Sequence, residues 1–144
     1  MNTRQFSVLL ARIALFIVYF WFGLLKVIAQ SPASEMVHHL FDKTMVPMIP
    51  FVSFGIFIIL FGLFEMLIGI LFIIPSLEKS ALILFFLHMI TTMLPLFFMA
   101  DMWTRMFVPT LEGQYIIKNL ALISCALTIW SAVNVSKLEN NPLT

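Results

Sequence analysis

Residues Phe51 to Ile74 read FVSFGIFIILFGLFEMLIGILFII, and this stretch decides the fold. It is roughly two dozen residues long, which at about 1.5 Å per residue crosses a bilayer's hydrocarbon core as a helix. One ionisable group, Glu65, sits well inside it. A lone carboxylate at that depth costs several kcal/mol unless it is protonated or paired, so the fold is expected to supply a partner. Gly55, Gly62 and Gly69 recur every seven residues, and Glu65 lies three after one glycine and four before the next. All four therefore share one broad helix face, where another backbone can approach closely. That face is expected to point into a bundle and away from lipid.

Composition carries the same message outward to the whole chain. Of 144 residues, 62% are hydrophobic and only 10% charged. A water-soluble domain carries about 25% charged residues, so too little solvated surface is present to cover a globular core. An integral membrane protein is the class that fits, and the net charge of +1 excludes a basic footprint for nucleic acid. The single Cys125 excludes an intrachain disulfide or a CxxC redox pair, and it reads as a small packing residue.

Four spans are expected, at about 6–29, 51–74, 81–100 and 114–135, forming an all-α, four-helix transmembrane bundle that is one domain from 1 to 144. In the first span Lys26 interrupts the uncharged, small-residue region that a cleaved signal peptide needs, so the span is read as retained. The 30–50 connection, QSPASEMVHHLFDKTMVPMIP, is the longest. Within it Ser34 to Phe41 suits a short interfacial helix with Ser34 as N-cap. Adjacent His38 and His39 cannot form the i, i+4 pair of a zinc site and read as solvated loop residues, so no metal ligands are assigned. A tight turn at Pro75 to Ser80 makes spans two and three an antiparallel hairpin. Pro95 deprives the Thr91 carbonyl of its helical donor and predicts a kink. Trp103 suits an aromatic belt. The tail SKLENNPLT reads as frayed. Arg4, Lys79 and Lys137 on one side against Lys43 and Arg105 on the other place both termini in the cytoplasm, in an inner membrane.

Depth along each span suggests which polar groups meet. Arg12 lies ~9 Å in from the terminal side, Glu65 ~13 Å and His88 ~12 Å. Guanidinium can grip a carboxylate with two hydrogen bonds, so Arg12 is the expected partner of Glu65. A second layer near the opposite surface would hold Lys26, Lys118 and Asp101, and the stripe Arg12, Tyr19, Lys26 would face both layers. The expected ligand-binding set is Arg12, Tyr19, Lys26, Glu65, His88 and Lys118, with no catalytic residue assigned. Three cations against one carboxylate within the spans favour a carbonyl-bearing or anionic ligand, such as a quinone head group. Each residue also has a structural reading. Lys26 and Lys118 can snorkel to the headgroups, the favoured alternative. An Arg12–Glu65 pair can serve packing alone, and His88 can simply hydrogen-bond a neighbouring helix or threonine. As a haem ligand His88 has no second histidine within a span.

At these residues the chain resembles the DoxX-like family of small four-helix membrane proteins. The stretch ARIALFIVYFWFGLLKV is similar to that family's early arginine followed by Gly-x-x-Lys, carried here by Arg12, Gly23 and Lys26. FGLFEMLIGILFIIP resembles its Glu followed four residues on by Gly, here Glu65 and Gly69. GQYIIKNLALIS resembles its Gly-x(4)-Lys-Asn/Asp, here Gly113, Lys118 and Asn119. The resemblance implies a four-helix bundle acting as a ligand-binding or accessory subunit of a membrane oxidoreductase, with quinone as the implied cofactor. The family takes its name from a subunit of a thiosulfate:quinone oxidoreductase. The expected partners are the lipid bilayer, an oxidoreductase subunit and, as a further option, copies of the same chain. A small anion or proton transporter and a non-catalytic scaffold are the alternative functions.

Overall fold

A computed structural model describes residues 2–47 and 51–140, with side chains described as far as Asn134. Four helical segments are long and apolar enough to cross a membrane: Thr3–Val27, Phe54–Ile73, Pro75–Phe98 and Leu111–Asn134. They match the expected spans to within three residues at each end, except that the third begins at Pro75 rather than 81. The helices are α1 (Thr3–Val27), α2 (Ser34–Thr44), α3 (Phe54–Ile73), α4 (Glu78–Met93), the single turn α5 (Pro95–Phe98) and α6 (Leu111–Asn140). Contacts run α1 to α3, α3 to α4, α4 to α6 and α6 back to α1, closing a ring in which α1 faces α4 across the bundle.

Local chemistry sets the helix ends. Asn2 caps α1 through its side chain on the Gln5 N–H while Gln5 bonds back to Asn2, a reciprocal pair that satisfies two orphan donors. Ser53 accepts from Ile56 N–H at the start of α3. At Pro95, where a kink is expected, α4 ends outright: Leu94 N–H closes on the Thr91 carbonyl and a new turn begins at Pro95. Helix α2 is longer than the sequence suggests, and Ala33 precedes it without a side-chain cap, so Ser34 is its first helical residue rather than its N-cap. His38 and His39 lie on this helix, exposed, not in a loop. The expected fraying of the tail is overturned as far as Asn140, where α6 continues. Asn141 to Thr144 lie outside the described residues, as do Met48 to Pro50.

The tightest packing joins α1 and α3. A Cβ added to Gly23 would stand 2.5 Å from the Gly62 carbonyl oxygen, and one added to Gly62 would stand 2.6 Å from the Gly23 oxygen. Farther along the same seam, Gly69 lies against the backbone of Phe16 and Phe20. Gly55, placed on this face by its spacing, meets nothing within 4 Å. The main core lies between the four long helices and is built on fully buried Leu15, Ile68, Phe72, Phe85 and Ile129.

A second, smaller core closes the end away from the termini. Met99, Met102 and Ile116 are buried there, with Met36, Leu40, Met93, Leu96 and Trp103 packed against them. It sits beneath α2 and a short hairpin, β1 (Trp103–Arg105) and β2 (Val108–Pro109), which the sequence reading did not anticipate. Trp103 Nε1 donates to the Leu96 carbonyl at 2.9 Å. The hairpin turns at Met106 and Phe107, and Phe107 takes a left-handed φ of 61°. That conformation costs a residue with a Cβ about 1–2 kcal/mol.

The close α1–α3 seam generates a paired expectation. Gly62→Ala should destabilise the detergent-solubilised protein by about 1–3 kcal/mol through overpacking against rigid backbone. Gly55→Ala should leave thermal melting unchanged. Equal melting of the two variants would show that the seam is not a close contact.

Candidate functional site

Antiparallel α1 and α3 bring the buried polar groups together at the glycine contact. Lys26 stands three residues beyond Gly23 on α1, and Glu65 stands three residues beyond Gly62 on α3. With Gly23 and Gly62 level, the two Cα positions are separated along the bundle by ~9 Å. Helical side chains lean toward the N-terminus of their own helix, so on antiparallel neighbours these two lean into the same gap. Without Cβ atoms at Gly23 and Gly62, that gap is open to them. Lys26 Nζ donates to Glu65 Oε2 at 2.6 Å, with both side chains buried.

The other carboxylate oxygen faces α4. His88 Nε2 lies 3.1 Å from Glu65 Oε1, and His88 Nδ1 lies 3.1 Å from the Tyr19 hydroxyl. An ionised carboxylate only accepts, so an ionised Glu65 takes its hydrogen bond from His88 Nε2, and a neutral ring in that tautomer accepts from the Tyr19 O–H at Nδ1. The result is one hydrogen-bonded chain, Lys26–Glu65–His88–Tyr19, drawn from α1, α3 and α4 and closing across the bundle's diagonal. Exposure of these four side chains' residues is 3–6%. The close Lys26–Glu65 pair meets the desolvation problem of a carboxylate at membrane depth. Among the described residues, every buried side-chain nitrogen and oxygen has a partner.

Aromatic rings line this chain. Phe61 stacks on His88 at 5.1 Å between centroids and 26° between planes, and Lys26 Nζ lies 5.7 Å from the Phe61 centroid. Tyr19 meets Phe85 at 5.5 Å. Thr91 bonds the backbone carbonyl of His88, leaving the imidazole to its two side-chain partners.

Arg12 is not the partner of Glu65. It donates to the Phe72 carbonyl at 3.0 Å and pairs with Glu78, which opens α4. Helix α1 starts at Thr3 and extends past the end of α3, so Arg12 lies level with Phe72, one residue from that helix's C-terminus. There its charge meets free carbonyls and the negative end of the helix dipole. Arg12 also leans away from Glu65, whose Cα stands ~12 Å farther along the bundle.

The expected second layer is not assembled either. Lys26 belongs to the Glu65 chain and does not snorkel. Lys118 is exposed on α6, with its ammonium 5.0 Å from the Tyr115 ring. Asp101 is exposed beside His39 at 3.7 Å. The surplus of cations expected within the spans shrinks to the exposed Lys118: Glu65 pairs with Lys26 and Glu78 pairs with Arg12. Of the six expected site residues, Tyr19, Lys26, Glu65 and His88 meet, while Arg12 and Lys118 stand apart from them. Glu78 is the residue the sequence reading missed, and its place in the first turn after Pro75, next to the end of α3, was the available signal.

No family model, curated protein or solved structure matches this chain.

The pairing has a measurable consequence. Glu65→Ala leaves Lys26 buried without its counter-charge and should cost about 3–5 kcal/mol in detergent unfolding. Lys26→Met combined with Glu65→Leu should recover much of that loss. Arg12→Leu should add to Glu65→Ala within about 0.5 kcal/mol, as for distant sites, whereas Arg12 and Glu78 should couple.

Proposed function

We infer that this chain is a DoxX-like integral membrane protein serving as a ligand-binding or accessory subunit of a quinone-linked redox system, rather than a stand-alone enzyme. The supporting observation is the buried series Lys26–Glu65–His88–Tyr19, an ordered set of proton-bearing groups at membrane depth. Quinone reduction consumes protons as well as electrons, and a histidine held between a carboxylate and a phenol can take a proton at one ring nitrogen and release one at the other. Phe61, half-buried and stacked on that histidine, supplies an apolar flank suited to a planar ring. Because Lys26 is already paired with Glu65, the cluster offers no unpaired cation to a free anion, which favours a carbonyl-bearing ligand. The pattern of Arg12, Gly23, Lys26, Glu65 and Gly69 adds the family resemblance. Three basic residues, Arg4, Lys79 and Lys137, against two, Lys43 and Arg105, favour both termini in the cytoplasm of an inner membrane. The side chain of Lys137, which also entered that count, lies outside the described residues.

A scaffold is the second reading, favoured by the complete pairing of buried polar atoms. In it the hydrogen-bonded chain only fixes the register of α1, α3 and α4.

Mild detergent extraction followed by lipid analysis separates the two. Quinone should co-purify with the wild-type chain, and Tyr19→Phe, which leaves the buried His88 Nδ1 without its partner, should cost about 1–3 kcal/mol of stability. The same variant should lower quinone reduction in membranes carrying the intact complex. Absence of quinone, together with unchanged melting on adding it, would overturn the redox reading. Unchanged quinone reduction in Tyr19→Phe would assign that residue to scaffolding. Ion flux in liposomes that Glu65→Gln abolishes would assign the chain to transport instead.

A further inference from the structure

The hairpin after the third span carries an expensive residue at its tip. Arg105 pairs with Val108, so the turn consists of Met106 and Phe107, and Phe107 occupies the left-handed region at φ 61°. Glycine or asparagine ordinarily takes such a turn position, because a Cβ is strained there. Packing within the chain does not compensate, since Phe107 is 82% exposed and Met106 equally so. Thr104 Oγ1 closes the turn on the Val108 carbonyl at 2.8 Å, which holds the strained shape and keeps the two apolar side chains outside.

The depth of the hairpin is set by its base. Trp103 bonds the carbonyl of Leu96, two residues inside the end of the Pro75–Phe98 span. Phe97 and Phe98, on the same turn, are 81% and 60% exposed and continue the lipid-facing surface. A strand advances about 3.3 Å per residue, so Met106 reaches no more than about 10 Å from Trp103. The headgroup zone of one leaflet spans roughly 5–8 Å beyond the hydrocarbon. A tip with this reach and this base stays at the membrane boundary, next to a surface already in contact with lipid.

We propose that the Met106–Phe107 tip is a membrane anchor, seated in the headgroup–acyl boundary of the leaflet opposite the termini, with the exposed Arg105 beside it placed for lipid phosphate. Aromatic and thioether side chains suit this boundary, and a basic neighbour adds attraction to the phosphates. The anchor would tether the hairpin, and with it the methionine-rich core beneath, to the bilayer. The contact with lipid supplies what the strained turn does not recover inside the protein.

The test uses the full chain in phosphatidylcholine liposomes containing a minor share of phosphatidylglycerol. In a Cys125→Ser background, a spin label at Met106→Cys is compared with labels at Glu35→Cys, on exposed α2, and Leu87→Cys, on the lipid-facing side of α4. Collision with molecular oxygen should approach that of the Leu87 site. Collision with a water-soluble nickel chelate should be several-fold below that of the Glu35 site. Adding Phe107→Asp should return the Met106 label to water while the helical circular dichroism stays unchanged. Phe107→Gly should melt no lower than wild type in detergent and yet hold the label at a shallower depth. A Met106 label as open to the nickel chelate as the Glu35 site would overturn the anchor and leave the tip as a surface for a protein partner. A label depth indifferent to Phe107→Asp would overturn it as well.

Discussion

A carboxylate in the middle of a membrane protein must find its counter-charge within the protein, and here Lys26 supplies it. The pairing depends on the absence of two methyl-sized groups. Gly23 and Gly62 let α1 and α3 touch backbone to backbone, and only at that separation do the opposed leans of Lys26 and Glu65 converge. The ion pair in turn orients the carboxylate so that its second oxygen reaches His88, and His88 then reaches Tyr19 across the bundle. Helix contact, charge neutrality and the arrangement of the candidate site are thus one constraint expressed at three scales.

This geometry explains both what sequence reasoning reached and what it did not. Length and apolarity fix the four crossings, because lipid tolerates little else than helices of that length. Gly62, Gly69 and Glu65 on one inward face followed from their spacing, and so did the break at Pro95. The partner of Glu65 did not, because Cα depth ignores two things. One is how far α1 overhangs the end of α3, a quantity no span boundary reveals. The other is the direction in which long side chains lean, which carries Lys26 toward Glu65 and Arg12 away from it. The hairpin was illegible for a different reason: its turn uses Met106 and Phe107 where turn-forming residues would have announced it.

The two ion pairs play different physical parts. Arg12 and Glu78 lie at the bundle's terminal end, only partly buried, where Arg12 also satisfies a carbonyl at the close of α3. That pair fastens the α3–α4 turn to α1 and can exchange with water and headgroups. Lys26 and Glu65 are buried away from such exchange, and their polar side-chain partners are one another and His88. Burial is thus the physical difference between the inner pair and the outer one.

The ends of the bundle also differ in mechanical character. Along the α1–α3 seam, backbone rests on backbone, and nothing there can adjust without a helix shifting. At the other end, Met36, Met93, Met99 and Met102 fill the space beneath α2 and the hairpin, and unbranched thioethers re-pack at little cost. The molecule is a stiff stem carrying a compliant crown, so deformation imposed by a changing bilayer thickness would be absorbed in the crown while the spacing of Lys26, Glu65, His88 and Tyr19 stays as it is.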